Sequence, residues 1–384
     1  MPIDRRTRIL VVDDSAVVRS LLRSVVSTDK KLDVAGTAAD GVSALESIES
    51  TRPDLILLDV EMPVMDGLVT LKQLRARGYK MPIIMCSSLT HRGAQVTIEA
   101  LANGASDYVA KPRGQSSREA AIRTLAQDLI PKIHALTSRA PTHSQAAAAG
   151  GAARISALAT LAPLPRPQTV QFAPPVAPAV VVVGVSTGGP AALDVLLPAL
   201  PASFPLPVLI VQHMPELFTG LLAERLNGRC KLRVCEAAEG APVSPGTVHI
   251  ARGNWHLEVM PAAGSSARPA LHLSQGQLEN YCRPAADVLF RSAVRFYGGA
   301  VLAVVLTGMG SDGLNGSRLI REQGGSVVAQ DQASSIVWGM PGAVAQAGLA
   351  QKILPLDAIA PEILRMLSRP PASGELREAR RLVV

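Results

Sequence analysis

The chain has 384 residues, 48% of them apolar and 18% charged, enough to fill two or three buried cores. Aromatic residues make up only 3%, too few for a platform on which nucleic-acid bases stack, and the net charge of +7 is spread without a Lys/Arg block. No apolar run approaches the roughly 20 residues that span a bilayer, and the run at 9–12 stops at Asp13-Asp14, unlike a secretory leader. Neither nucleic-acid binding nor membrane insertion is therefore expected. Cys86, Cys230, Cys235 and Cys282 lack zinc-ligand spacing and read as reduced thiols of a cytoplasmic protein.

Residues 8–136 read as five strand–helix units, with strands at 8–12, 32–38, 55–58, 83–86 and 108–110. Such alternation gives a parallel sheet with right-handed crossovers. The polar residues sit just past the strand ends: Asp13, Asp14, Asp59, Ser87 and Lys111. That edge is where open α/β sheets bind ligands. Three carboxylates converging there call for a cation, and oxygen ligands with water suit Mg²⁺. A lysine and a hydroxyl beside them suit a phosphoryl oxygen. Surface carboxylates that cap helices would account for Asp13 or Asp14, not for the whole set.

Asp13-Asp14, LLDVEMPVMDG at 57–67, Ser87 and Lys111-Pro112 resemble a two-component receiver domain. The resemblance implies a flavodoxin-like domain with a five-stranded parallel sheet. It implies that Asp59 accepts a phosphoryl group from a histidine kinase. Asp13, Asp14, Asp59 and the backbone carbonyl of Glu61 would hold Mg²⁺. Ser87 would bond the phosphoryl oxygen, Lys111 would neutralise it, and Tyr108 stands where receivers carry an aromatic switch.

Residues 137–178 are rich in Ala, Pro, Gly and Ser and read as a linker, with a helical tendency at 146–149. His134 and His143, in or beside it, carry little weight as ligands. A second domain is expected over 179–368, followed by a frayed tail at 369–384. Helices are expected near 191–200, 217–226, 286–296, 314–321, 341–347 and 358–367, and buried strands at 180–183, 207–211, 301–306 and 326–329. Short strands fill 232–272.

The second domain turns on AVVVVGVSTGGP at 179–190: a β-branched strand, a glycine turn with Ser186 at its tip, then Pro190 in a first helical turn. G-x-S-x-G in this setting presents a nucleophile; a phosphate-binding or merely structural glycine turn is the alternative. His213 and Asp312 also follow buried strands. In one parallel sheet the three would share an edge, as a hydrolytic triad requires. Alone, His213 also reads as a structural histidine, and Asp312 as a cap for the helix at 314–321. The order Ser…His…Asp differs from that of α/β-hydrolases. Thr187 and the turn Gly308-Met309-Gly310 offer oxyanion donors. His91, His249, His256 and His272 lack such a context and read as structural.

GVSTGGP at 184–190, QHMPELFTGLLAERLN at 212–227, RPAADVLFRSA at 283–293, LTGMGSDG at 306–313 and WGMPGA at 338–343 resemble the catalytic domain of the CheB family. Those are chemotaxis protein-glutamate methylesterases with a receiver fused to the N-terminus. The resemblance implies a triad of Ser186, His213 and Asp312, with the Met309 amide in the oxyanion hole. It implies a doubly wound, mostly parallel α/β esterase domain that needs no cofactor. It implies hydrolysis of γ-glutamyl methyl esters and deamidation of certain glutamines on methyl-accepting chemotaxis receptors, with phosphoryl supply from a CheA-type histidine kinase. The unphosphorylated receiver is expected to cover the esterase cleft. Arg252 replaces a proline often found in the family, on an expected rim loop. Two alternatives stay open: the same chemistry on a methylated protein outside chemotaxis, and a receiver fused to a non-catalytic binding module.

Overall fold

The order of strands in each sheet decides where this chain can bind anything. The computed structural model describes residues 6–112, 117–138 and 176–368. Most of the expected linker, including 146–149 and His143, lies outside the described residues, as does the expected tail.

The N-terminal sheet contains β1 (Thr7–Val12), β2 (Leu32–Ala38), β3 (Leu55–Asp59), β4 (Ile83–Ser87) and β5 (Asp107–Ala110). They pair in parallel in the order β2-β1-β3-β4-β5. Helices α1 (Ala16–Val26), α2 (Gly41–Thr51), α3 (Gly67–Ala76), α4 (His91–Ala102) and α5 (Arg118–Thr137) connect or follow the strands. The caps are local: Ser15, Asp40, Asp66, Thr90 and Ser117 each accept a backbone N–H of their own first turn. The β3 run LILLD is buried throughout, as a strand with helices on both faces must be.

The C-terminal sheet is built from β6 (Val180–Val185), β7 (Val208–Gln212), β8 (Arg233–Glu236), β9 (Thr247–Ile250), β12 (Val301–Val305), β13 (Ser326–Gln330) and β14 (Lys352–Leu354). Its order is β14-β13-β12-β6-β7-β9-β8, and every pairing is parallel. Strands β10 (His256–Ala262) and β11 (Ser265–Ser274) form a separate antiparallel hairpin. The helices are α6 (Gly189–Leu196), α7 (Glu216–Asn227), α8 (Ala286–Tyr297), α9 (Leu314–Glu322), α10 (Met340–Gln346) and α11 (Leu356–Leu367). Val180–Val183 and Val301–Val305 are fully or almost fully buried, so the core rests on aliphatic side chains with Phe218 and Phe290 as its largest members.

Several expected bounds shift by a few residues, and two departures bear on the site. Helix α6 starts two residues before 191, because Gly188 takes φ +79° and turns the chain directly into it. A side chain at Gly188 would also meet Ile336 at 2.8 Å. The stretch 232–272 splits between the main sheet and the hairpin, a division that alternating short strands do not announce.

In the two parallel sheets the strand order turns back between β1 and β3 and, apart from a further inversion at the β9-β8 edge of the second sheet, between β6 and β12. A doubly wound sheet opens its crevice there, at the carboxyl ends of the strands.

Candidate active site and phosphoryl-acceptor site

At the first crevice, oxygens of Asp13, Asp14 and Asp59 lie within 4.8 Å of one another. The Lys111 ammonium reaches Asp13 and Asp59 at 2.7 Å each. Burial pushes the Asp59 carboxyl up to about 6, against the pull of Lys111. Burial works against the Lys111 charge, but the two carboxylates hold its pKa above the ordinary value. Two buried carboxylates and the exposed Asp14, with one lysine for two of the three, leave unspent negative charge, and their all-oxygen donors fit a hard divalent cation. Ser87 is buried at the end of β4 and its hydroxyl donates to the Ser88 carbonyl at 3.2 Å. Glu61 is exposed in the turn after β3, within 3.6 Å of Arg92. Tyr108 is buried, and its ring stacks on Phe218 of α7 with centroids 4.6 Å apart.

At the second crevice, Ser186 follows β6, His213 follows β7, and Asp312 lies in the turn after β12. The Ser186 turn is fixed from three sides. Its N–H donates to the Thr307 carbonyl at 3.0 Å, its carbonyl accepts from Gln212 Nε2 at 3.0 Å, and that carbonyl also takes the Gly189 N–H at 2.7 Å. Gly308 packs so closely that a Cβ there would stand 2.8 Å from the Ser186 Cβ. Among the described residues the Ser186 hydroxyl has no hydrogen-bond partner, and the N–H groups of Thr187 and Met309 donate to no backbone group.

His213 Nε2 lies 2.8 Å from Asp312 Oδ2. Burial opposes the imidazolium, but the Asp312 hydrogen bond, with Cys282 beside the ring, outweighs it and raises the His213 pKa to about 10. Burial likewise opposes the Asp312 charge. The His213 contact and the N–H groups of Asp287 and Ala286 override it and keep the carboxyl below its ordinary range. Those N–H groups, at 3.0 and 2.6 Å, belong to the start of α8, where the helix dipole favours an anion. Asp312 therefore does not cap the following helix; Gly313 occupies that position without a side-chain bond.

Ser186, Thr187 and His213 line one cavity of about 40 Å³, and its other wall comes from Leu101, Asp107, Tyr108 and Lys132 of the N-terminal unit. The Thr187 hydroxyl donates to Asp107 Oδ2 at 2.6 Å across this boundary. Lys132 donates to the Tyr108 carbonyl at 2.7 Å and stands over its ring. That space admits a water and little more.

Residues 9–123 match the response regulator receiver domain and residues 181–363 match CheB methylesterase. A protein-glutamate methylesterase/protein-glutamine glutaminase of Nocardioides is 50% identical, over 94% of this chain and 96% of its own. The chain belongs to the CheB methylesterase family. A Trichodesmium erythraeum protein of the same name is 46% identical over 94% of this chain and 99% of its own. The crystal structure of the Thermotoga maritima CheB methylesterase catalytic domain is 40% identical, covers 50% of this chain and 100% of that one, and gives a TM-score of 0.48.

Within this CheB fold, several residues at the site have no signature in the sequence. Asp107, Lys132 and Phe218 matter only because the two units meet. Asn280 Nδ2 donates to Asp312 Oδ1 at 2.8 Å, and Cys282 Sγ lies 3.6 Å from His213 Nδ1. The turn carrying them was readable only as loop between the hairpin and α8. Of the other described histidines, four are engaged elsewhere, His249 with Cys235, His256 with the Gln277 carbonyl, His272 with Glu239 and His134 with Asp29, while His91 is exposed at the start of α4. Arg252 is held by Glu216 at the start of α7 and lies over the Trp255 ring.

Proposed function

We propose that this chain is a phosphorylation-activated serine hydrolase that removes methyl groups from γ-glutamyl methyl esters of chemoreceptors and deamidates selected receptor glutamines. The observation that carries the reading is the meeting of Ser186, His213 and Asp312 at one switch-point crevice, under a wall of receiver residues.

In the forward step Ser186 Oγ attacks the glutamyl carbonyl carbon while neutral His213 takes its proton. The tetrahedral oxyanion faces the N–H groups of Thr187 and Met309. Collapse breaks the C–OCH₃ bond, and His213 returns the proton so that methanol leaves. Water then repeats the sequence on the acyl-serine, freeing glutamate and restoring Ser186. A glutamine substrate gives ammonia in place of methanol. Asp312 steadies the imidazolium between the two proton transfers.

Asp59 is the phosphoryl acceptor in this reading, with Asp13, Asp14, Asp59 and the Glu61 carbonyl holding Mg²⁺. When bound, that cation offsets the charge of the phosphoryl group. Ser87 and Lys111 take its oxygens. The donor is a histidine kinase of CheA type. Among the described residues no helix is long and apolar enough to cross a membrane, and we place the enzyme in the cytoplasm, beside receptor signalling helices.

The direct test is methanol release from a methylated receptor fragment, with and without acetyl phosphate and Mg²⁺. Release is expected to rise several-fold on phosphorylation and to lose that response in Asp59→Asn. Release equal under both conditions would remove the regulatory half of the reading; no release under either would remove the esterase half.

His213 also sets a pH dependence. Its pKa is raised above 6.5, so imidazolium persists as pH rises and the base form appears only through a higher window. The acid limb of kcat/KM is therefore expected above pH 6.5. A profile already flat below pH 6 would contradict His213 as the base.

A further inference from the structure

The turn at Glu279–Cys282 is fastened to the site at two points. Asn280 and Tyr281 both adopt left-handed backbone, at φ 52° and 62°. Asparagine visits that region readily; a tyrosine holds it only where the surroundings enforce it. The enforcement is visible. Glu279 and Cys282 exchange two backbone hydrogen bonds, of 3.1 and 2.8 Å, and the Glu279 carboxylate binds the Arg291 guanidinium through both oxygens. Arg283 ties the following residue to Asn254 and to the carbonyls of Gln275 and Gly276.

What this brace delivers is one amide between two buried carboxylates. Asn280 Nδ2 donates to Asp312 Oδ1 at 2.8 Å and to Asp287 Oδ2 at 3.1 Å. Asp287 is fully buried, and its other oxygen accepts the Gly316 N–H at 2.6 Å. An amide NH₂ has two hydrogens, one for each acid, so a single neutral group satisfies both and keeps two like charges apart.

We propose that Asn280 is a positioning residue for the esterase reaction, its amide anchoring Asp312 Oδ1 to Asp287 so that Oδ2 stays on His213. This rests on the esterase reading given above. Asp312 Oδ1 also accepts the N–H groups of Asp287 and Gly313, at 3.0 Å each; without the Asn280 amide, Oδ1 keeps only these backbone donors against rotation about the Cβ–Cγ bond. Asn280 does not touch substrate; it acts through Asp312. By donating to that carboxylate it also moderates the pull on the imidazolium. The charged and titratable groups that face this network are Asp287, Glu279 and Arg291 from the turn and α8, Cys282 beside the ring, and Asp107, Tyr108 and Lys132 from the receiver side.

The test uses the full chain with acetyl phosphate and Mg²⁺, reading methanol release from a methylated receptor fragment across pH. Asn280→Gly keeps the left-handed turn and deletes only the amide; Asn280→Asp keeps the shape and replaces the donor by a third acid. Both are expected to lower kcat about tenfold or more at unchanged KM. Both are expected to move the acid limb to higher pH, Asn280→Asp further, because Asp312 then holds the proton on His213 more firmly. Asn280→Gly should still unfold in one cooperative transition, a few degrees below the parent, because two buried carboxylates lose a donor. Parent-like kcat and an unmoved limb in both variants, with the parent active, would overturn the assignment of Asn280 alone. A parent that releases no methanol would instead overturn the esterase reading beneath it.

Discussion

Replacing Ser186 with alanine is expected to stop methanol release without unfolding the protein. The chemical loss should be large, about four orders of magnitude or more in kcat, since no other group supplies the attacking oxygen once a nucleophile of this type is removed. The structural loss should be small. The Ser186 hydroxyl has no hydrogen-bond partner among the described residues, and the backbone bonds that fix the turn run through its N–H and carbonyl. Those bonds survive the substitution. Asp312→Asn is the informative contrast. Asp312 accepts from His213, from Asn280 and from the first N–H groups of α8, so losing its charge weakens the helix start as well as the chemistry. Kinetics together with thermal unfolding check the pair: Ser186→Ala should melt with the parent, and Asp312→Asn several degrees below it. Substantial methanol release from Ser186→Ala would remove the nucleophile from the proposal.

The sequence made this edge legible because buried parallel strands end abruptly. Val180–Val185, Val208–Gln212 and Val301–Val305 are apolar runs that stop at polar or glycine-rich turns, so the position of Ser186, His213 and the 307–313 turn follows from strand ends alone. The same logic located Asp13, Asp59 and Ser87 in the first sheet. Sidedness was harder to read. Asp312 precedes a helix, and its use there as a cap was a fair expectation; the carboxylate turns instead to α8, whose start reaches it across the crevice. No period in the sequence encodes that crossing. The 279–284 turn was opaque for a related reason. Its left-handed residues are not glycines, and what holds them is a set of long-range bonds to Asp312, Asp287 and Arg291. Asp107, Lys132 and Phe218 escaped because their role arises only where two independently patterned units meet.

That meeting leads to the second large effect. Severing the contact between the units is expected to activate the unphosphorylated enzyme. The cavity beside Ser186 holds about 40 Å³, less than a glutamyl methyl ester needs, and four of its eleven lining residues belong to the receiver. Beyond the packing of α4 on α6 and α7, two side-chain contacts hold the wall at the cavity itself. The Thr187 hydroxyl donates to Asp107 at 2.6 Å, next to the proposed nucleophile, and Tyr108 stacks on Phe218 at 4.6 Å. A buried hydrogen bond to a charged acceptor contributes about 1.5–3 kcal/mol, and the ring pair adds about 1 kcal/mol. Asp107→Ala in the full chain should therefore raise basal methanol release about tenfold, since each 1.4 kcal/mol shifts a two-state equilibrium by that factor. Lys132 keeps Asp128 as its partner at 2.9 Å, so the substitution leaves no bare buried cation. A shortened chain beginning at residue 176 should be at least as active. Phosphorylation reaches the same contacts through β5: Ala110 pairs with Ser87, the Lys111 N–H donates to the Ser87 carbonyl at 2.8 Å, and Asp107 and Tyr108 open that strand. If Asp59 is the acceptor proposed above, roughly two added negative charges there would act on Ser87 and Lys111, and the four-residue strand β5 would carry their displacement to Thr187 and Phe218. Acetyl phosphate should consequently do little more for Asp107→Ala than the substitution has already done. A variant with parent-like basal activity and a full phosphorylation response would mean that the wall over Ser186 is not what phosphorylation removes.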